Sequence, residues 1–148
     1  NHVNGLPDLR RELTCVGLRQ LSDAITRAAV GKAGDEAVLA VAQAYRQYVL
    51  AHPGVYAATV QAPAPSDQAL TEVSRTIVEV LLAILAPYGL VEAKAIHAVR
   101  GLRSIVHGFA TVEAAGGFGI PLDRDESFLW LLRAYLAGLR TAAGAAQA

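Results

Sequence analysis

A single cysteine, Cys15, rules out an internal disulfide in this chain of 148 residues. That suits a reducing compartment, and a cytoplasmic location is expected. Cys15 itself reads as a small apolar filler on a helix. An excess of one charge is also missing: Lys plus Arg and Asp plus Glu number 13 each, for a formal net charge of zero. Without a broad basic field the chain has no general hold on nucleic acid. Long apolar runs are absent too. The longest, VLLAILAPYGLV from Val80 to Val91, is interrupted by Pro87 and Gly89 and falls short of the roughly 20 residues that span a bilayer. No basic segment precedes an apolar one in the manner of a signal peptide, so neither a leader nor a membrane partner is expected.

The residue patterns of catalysis are equally scarce. Four histidines occur, His2, His52, His97 and His107. None stands at a metal-ligand spacing from another histidine, a cysteine or an acid. His97 and His107 are ten residues apart, which puts them on different sides of one helix. No glycine-rich loop follows a strand to cradle a phosphate; Gly116-Gly117-Phe118-Gly119 follows a helix and reads as a loop. Ser66 and Ser104 have no base in a readable motif. Catalytic residues, a metal and a cofactor are therefore not expected, and the chain does not read as an enzyme.

What is present is helix after helix. Leu9, Leu13, Val16, Leu21 and Ile25 form an apolar side from about Pro7 to Val30. Gly31 to Gly34 end that helix, and Asp35 suits the cap of a second, reaching His52 with Val38, Val41, Tyr45, Tyr48 and Val49 as its stripe. Pro53-Gly54 breaks the chain, and Val55 to Gln61 has room for one or two further turns. Ala62-Pro-Ala-Pro65 is a stiff connector. Ser66 suits the cap of a third helix, Asp67 to about Ala86, with Leu70, Val73, Ile77, Leu81 and Ile84 inside and Gly89 as its stop. A fourth runs from about Val91 to Ala115. Asp123, with Glu126 three residues on, opens the fifth, Arg124 to about Ala143. Five long helices and one short one leave no room for a sheet, so the fold class is all-α.

The last two helices are unusually apolar. The fourth carries Ile96, Val99, Leu102, Ile105, Val106, Phe109 and Val112, with Gly101 and Gly108 on another side. Glycine inside a helix costs about 1 kcal/mol relative to alanine, so two of them seven residues apart suggest the close approach of another backbone. The fifth carries Phe128, Leu129, Trp130, Leu131, Leu132, Tyr135, Leu136 and Leu139 on nearly every side. Such a helix is buried all round, either at the domain centre or between its own core and a second subunit. The second arrangement is expected: a homodimer through a four-helix bundle, with Gly101, Ile105, Gly108, Val112, Leu129, Trp130, Leu132, Leu136 and Leu139 at the interface.

Three stretches carry a resemblance. Asn1-His2-Val3-Asn4-Gly5, then Leu9, resembles the end of a tetracycline-repressor-type (TetR-like) helix-turn-helix, where the recognition helix closes on a Tyr-x-His-Val/Phe run. Arg100-Gly-Leu-Arg-Ser-Ile-Val-His-Gly-Phe-Ala-Thr-Val-Glu113, then Gly116 to Gly119 and Asp123 to Phe128, resembles the C-terminal WHG-type domain of these regulators, with Ile105 and Val106 where that family has a Trp. Tyr45 to Tyr56 is similar to the segment where such domains leave their fifth helix. The resemblance implies a ligand-responsive transcriptional regulator, a repressor in type. Residues 1–5 would be the remnant of the DNA-binding domain, with His2 at its end, and residues 6–148 the effector-binding and dimerisation domain. Operator DNA would be gripped through a head that precedes this chain, with the first helix as the lever. The implied pocket lies between the second, third and fourth helices. Tyr45, Tyr48, His52, Tyr56, Leu81 and His107 are its expected wall, and His107 the polar anchor. With no charged cluster evident in that lining, a small, largely apolar or aromatic effector is expected. The alternative is a helical protein-interaction module with no small-molecule pocket.

Overall fold

A computed structural model describes residues 5–145. The remnant expected at residues 1–4, His2 included, lies outside them. Helix α1 is Leu6–Ala29, α2 Gly34–Ala51, the short α3 Pro53–Ala57, α4 Gln68–Leu85, α5 Ala93–Ala114 and α6 Arg124–Ala145, with a single 3-10 turn at Ala86–Tyr88 after α4. No strand occurs among the described residues. No single helix among them is long and apolar enough to cross a membrane.

The local signals act largely where expected. Pro7 sits in the first turn of α1, where a missing N–H costs nothing. Asp123 accepts hydrogen bonds from the backbone N–H groups of Asp125 (2.7 Å) and Glu126 (3.2 Å), closing the start of α6. Gly89 takes φ 71°, a left-handed conformation open to glycine, and stops the 3-10 turn. Two caps differ. Asp67, not Ser66, caps α4, because its carboxylate takes the Leu70 N–H at 3.2 Å while also holding Arg11 at 2.6 Å. Asp35 lies inside the first turn of α2 and is bonded to Tyr88 and Arg140, so it ties α2 to the 3-10 turn and to α6.

The core forms where α1, α2, α4 and α5 converge, with α6 leaning on α5, α2 and the 3-10 turn. Leu21, Ile25, Val38, Val41, Val49, Leu81, Leu102, Val106, Phe128, Leu132 and Leu136 are almost wholly enclosed. Only the second half of the expected α1 stripe takes part. Leu21 and Ile25 are buried, but Leu9, Leu13 and Val16 stay exposed, because the packed side of α1 runs through Thr14, Gly17, Leu18 and Leu21 instead. At Gly17 helix α1 comes close to a distant part of the chain. A Cβ there would lie 2.6 Å from Thr59 Cγ2 and 3.3 Å from the Val55 carbonyl oxygen, so the α1 backbone rests directly on α3 and the residues just after it.

Helix α6 corrects the expectation of burial on every side. Leu132, Leu136 and Leu139 face this chain's own core, so they offer no surface to a partner. Gly101 has its close neighbour within the chain as well: the Tyr135 ring, whose Cε2 would lie 3.2 Å from an added Cβ. Tyr135 donates its hydroxyl to the Ala98 carbonyl, and burial pushes its pKa up to about 12. The outward side of the pair is carried by Ile105 and Leu129, both half-buried, by Val112 and Trp130, both exposed, and by Gly108, with open space where a Cβ would be.

Candidate functional site

Residues far apart in sequence meet beneath α5. Tyr45 comes from α2, Tyr56 from α3 and His107 from α5. The two tyrosine hydroxyls are 3.2 Å apart, and the Tyr56 oxygen is 2.8 Å from His107 Nδ1. The Tyr45 and Tyr56 rings meet edge to face, with centroids 5.9 Å apart, a favoured aromatic geometry. Helix α3 is only five residues long, and its place is fixed from both sides. Gly17 admits it against α1, and Thr14 Oγ1 donates to the Ala58 carbonyl at 3.0 Å. Burial, reinforced by Tyr45 beside it, drives the Tyr56 hydroxyl far above the ordinary tyrosine value, and the Arg103 charge opposes this. Tyr56 therefore stays an un-ionised hydroxyl at physiological pH.

A cavity of ≈ 200 Å³ opens beside these three groups. Leu18 and Leu21 of α1, Ile77 of α4, and Val60 form its apolar side. Thr59 lies next to Tyr56 and donates its hydroxyl to the Tyr56 carbonyl at 2.7 Å. The remaining wall is one face of α5: Arg100, Arg103, Ser104 and His107. Steps of three, four and seven residues return to the same side of a helix, so these four project together. Ser104 donates to the Arg100 carbonyl at 2.7 Å. No acidic side chain lines the cavity.

Tyr45, Tyr56 and His107 are thus brought together as expected, while the other three predicted wall residues are not at this cavity. Tyr48 turns toward α1, donates its hydroxyl to Gln20 Oε1 at 3.0 Å, and stacks on His52 with centroids 4.9 Å apart. His52 follows its ring. Leu81, one turn beyond Ile77, lies in the solid core. The expectation of a lining without charge is corrected by Arg100 and Arg103. Their spacing from His107 was readable in the sequence, but which face of α5 would meet Tyr56 was not.

A second polar cluster lies at the C-terminal end of α5. Arg46, adjacent to Tyr45 on α2, is almost fully buried. Its guanidinium holds Glu113 through two bonds of 2.8 Å and Asp125 through one of 2.7 Å. It also lies over the rings of Phe109 (5.3 Å) and Phe128 (5.0 Å). The Glu113 hydrogen bonds, then Asp125, hold Arg46 above the usual arginine pKa against the cost of burial. The cluster fastens the turn between α5 and α6 onto α2. Arg46, Glu113 and Asp125 carry no local sequence pattern that marks them as a group.

Comparison with known proteins agrees with this architecture. The family "Tetracyclin repressor-like, C-terminal domain" matches residues 38–135. The "Uncharacterized HTH-type transcriptional regulator YobS" of Bacillus subtilis is 37% identical over 140 residues, 94% of this chain and 72% of that protein. The "Uncharacterized HTH-type transcriptional regulator Rv0681" of Mycobacterium tuberculosis is 37% identical over 143 residues, 94% of this chain and 64% of that protein. A solved structure of a protein of unknown function from Rhodococcus sp. RHA1 shares the fold, with a TM-score of 0.79 and 23% identity over 94% of this chain and 75% of that one. With the family match covering well over half of the chain and the Bacillus subtilis regulator 37% identical across 94% of it, the chain belongs to the TetR-like family of transcriptional regulators.

Proposed function

We propose that residues 6–148 are the effector-binding and dimerising unit of a ligand-responsive repressor, working in the cytoplasm. Operator DNA would be held by a helix-turn-helix head ahead of residue 6, and no enzymatic step is involved. The cavity carries this reading: a small space with an apolar side and a few converging polar groups is the usual form of a small-molecule site. Its volume suits an effector with a body of one ring or a short alkyl chain. An engineered cavity of about 150 Å³ is enough for benzene. The two curated relatives are HTH-type regulators longer than the region matched, in keeping with a head elsewhere in the protein. The route from pocket to head is α1, which rests on α3 at Gly17. An effector that fits one arrangement of α3 better than another would shift α1 with it.

The dimer face on this reading is the outward side of α5 and α6: Ile105, Gly108, Val112, Leu129 and Trp130. Trp130 is 72% exposed in the single chain, a large apolar ring with nothing over it. A two-fold partner covering this strip would meet its own copy, an isologous contact.

Sedimentation at low micromolar concentration is expected to give twice the 15.5 kDa of one chain. A well-folded species of 15.5 kDa would overturn the dimer. For the effector, a thermal-shift screen of a small-molecule library is expected to give hits that vanish in Tyr56→Trp, which fills the cavity. A library with no hit would favour the interaction-module reading.

A further inference from the structure

We propose that the cavity takes a small organic anion, a carboxylate on an apolar body, gripped by Arg100 and Arg103. The proposal rests on the effector-pocket reading and names the chemical class of the effector. Three observations carry it. First, both guanidiniums are on the cavity wall, and neither has a carboxylate within ion-pair distance among the described residues. Arg11, Arg46, Arg75, Arg124 and Arg140 each have an acid within 4.0 Å, and the other arginines without one among the described residues, Arg10, Arg19, Arg27 and Arg133, are not on the cavity wall. Second, the Arg103 charge reaches the Tyr56 hydroxyl at the cavity floor, so its field extends into the space and not only outward to solvent.

Third, the hydrogen-bond chain beside the cavity has protons to spare. Tyr45, Tyr56 and His107 carry at least three polar protons and share two bonds. Whichever way the hydroxyls turn, at least one donor is left over, on a residue that lines the cavity. The Thr59 and Ser104 hydroxyl protons are already committed to backbone carbonyls, which leaves these two oxygens as neutral acceptors. The charged capacity of the site is therefore guanidinium alone, beside at least one spare N–H or O–H donor, with no acid to compete. A carboxylate is a pure acceptor whose two oxygens match the planar fork of arginine. A cation would meet two like charges, and a neutral amide would offer the guanidiniums one uncharged acceptor oxygen in place of a carboxylate's two.

The apolar side, Leu18, Leu21, Val60 and Ile77, asks for carbon on the other end of the ligand. The space holds one ring or a short chain, not a nucleotide.

The test is calorimetric titration of the purified chain with probes of one shape and different charge: benzoate, benzamide and benzylamine, then hexanoate and hexanamide, with inorganic phosphate as the bare anion. Each acid is expected to bind at least about tenfold more tightly than its amide, the size of one charge-assisted hydrogen bond. Benzylamine and phosphate are expected to bind more weakly than benzoate. The Arg100→Gln/Arg103→Gln variant is expected to keep its melting temperature and the amide affinities while losing the preference for acids. Amides binding as well as acids would overturn the anion and leave the pocket standing. So would a preference that survives the double variant. Phosphate matching benzoate would overturn the apolar body. If no probe binds at millimolar concentration, the pocket reading falls and this proposal with it.

Discussion

Two arginine clusters lie along α5, one near its middle and one at its C-terminal end, and they are built on opposite principles. Around Arg46 every polar group has its partner: two carboxylates on the guanidinium and two phenyl faces beneath it. Around Arg103 the charge is left open, next to a hydrogen-bond chain with a donor left over. Burial without compensation is costly for a charge, which is why Arg46 is saturated. Arg100 and Arg103 sit at the mouth of the cavity, where water hydrates them until something else does. Closed electrostatics hold the fold together, and open electrostatics leave a place for a ligand. Tyr45 and Arg46, adjacent on α2, belong one to each.

The contrast can be broken most severely at Arg46. Arg46→Met keeps an unbranched apolar stem but leaves Glu113 buried, with only Arg124 in reach at 4.0 Å. A loss of about 3 kcal/mol is expected in urea unfolding, the low end for one half of a buried pair, because Asp125 is exposed. Replacing both members, Arg46→Met with Glu113→Leu, is expected to recover most of that loss. A double variant no better than the single would show that the fold needs the ion pair itself and not only the absence of an orphaned charge.

Next comes Tyr56→Phe. It strips the shared hydroxyl from the middle of the chain and leaves Tyr45 and His107 without the bonds they make to it. A loss of about 2 kcal/mol is expected in the same assay, the cost of buried polar groups left unpaired. A loss below about 0.5 kcal/mol would mean that water from the cavity replaces the hydroxyl without cost.

The smallest effect is expected where the charge is open. Arg103→Gln removes a full charge yet is expected to change stability by less than about 0.5 kcal/mol, as surface positions do. The pair of results, a large loss at Arg46 and almost none at Arg103, is the sharpest form of the comparison. Comparable losses at both would show that Arg103 is part of the scaffold.

The helices were legible because their signals are local. Pro7, Gly89 and Asp123 act on their own turn, and the apolar spacing of α2 and α4 shows their buried sides. What local spacing cannot show is which side of a helix its neighbours will cover. Leu9 and Leu13 on α1 look like core and are exposed, because α1 turns Thr14, Gly17, Leu18 and Leu21 to the rest of the chain instead. In the same way Leu132, Leu136 and Leu139 read as surplus apolar area, although one chain is enough to cover them. At the site, Tyr45, Tyr56 and His107 could be picked out as polar groups on apolar elements. Tyr48 could not be separated from Tyr45, because three residues on a helix change the facing by only about 60°. Arg46, Glu113 and Asp125 lie 67 and 79 positions apart, beyond any periodicity.

Gly17 sets a boundary for anyone who would retune this protein as a sensor. The contact it makes with Val55 and Thr59 has no side chain on the α1 side that could rotate to absorb a misfit. Val60 lines the cavity from an exposed position and is open to resizing for a new ligand, whereas Ile77 belongs to the core of α4, which packs on α1. Position 17 has no such freedom. Even an alanine Cβ would press on Thr59 and Val55, and a redesigned pocket would then report through an α1–α3 contact with a different fit.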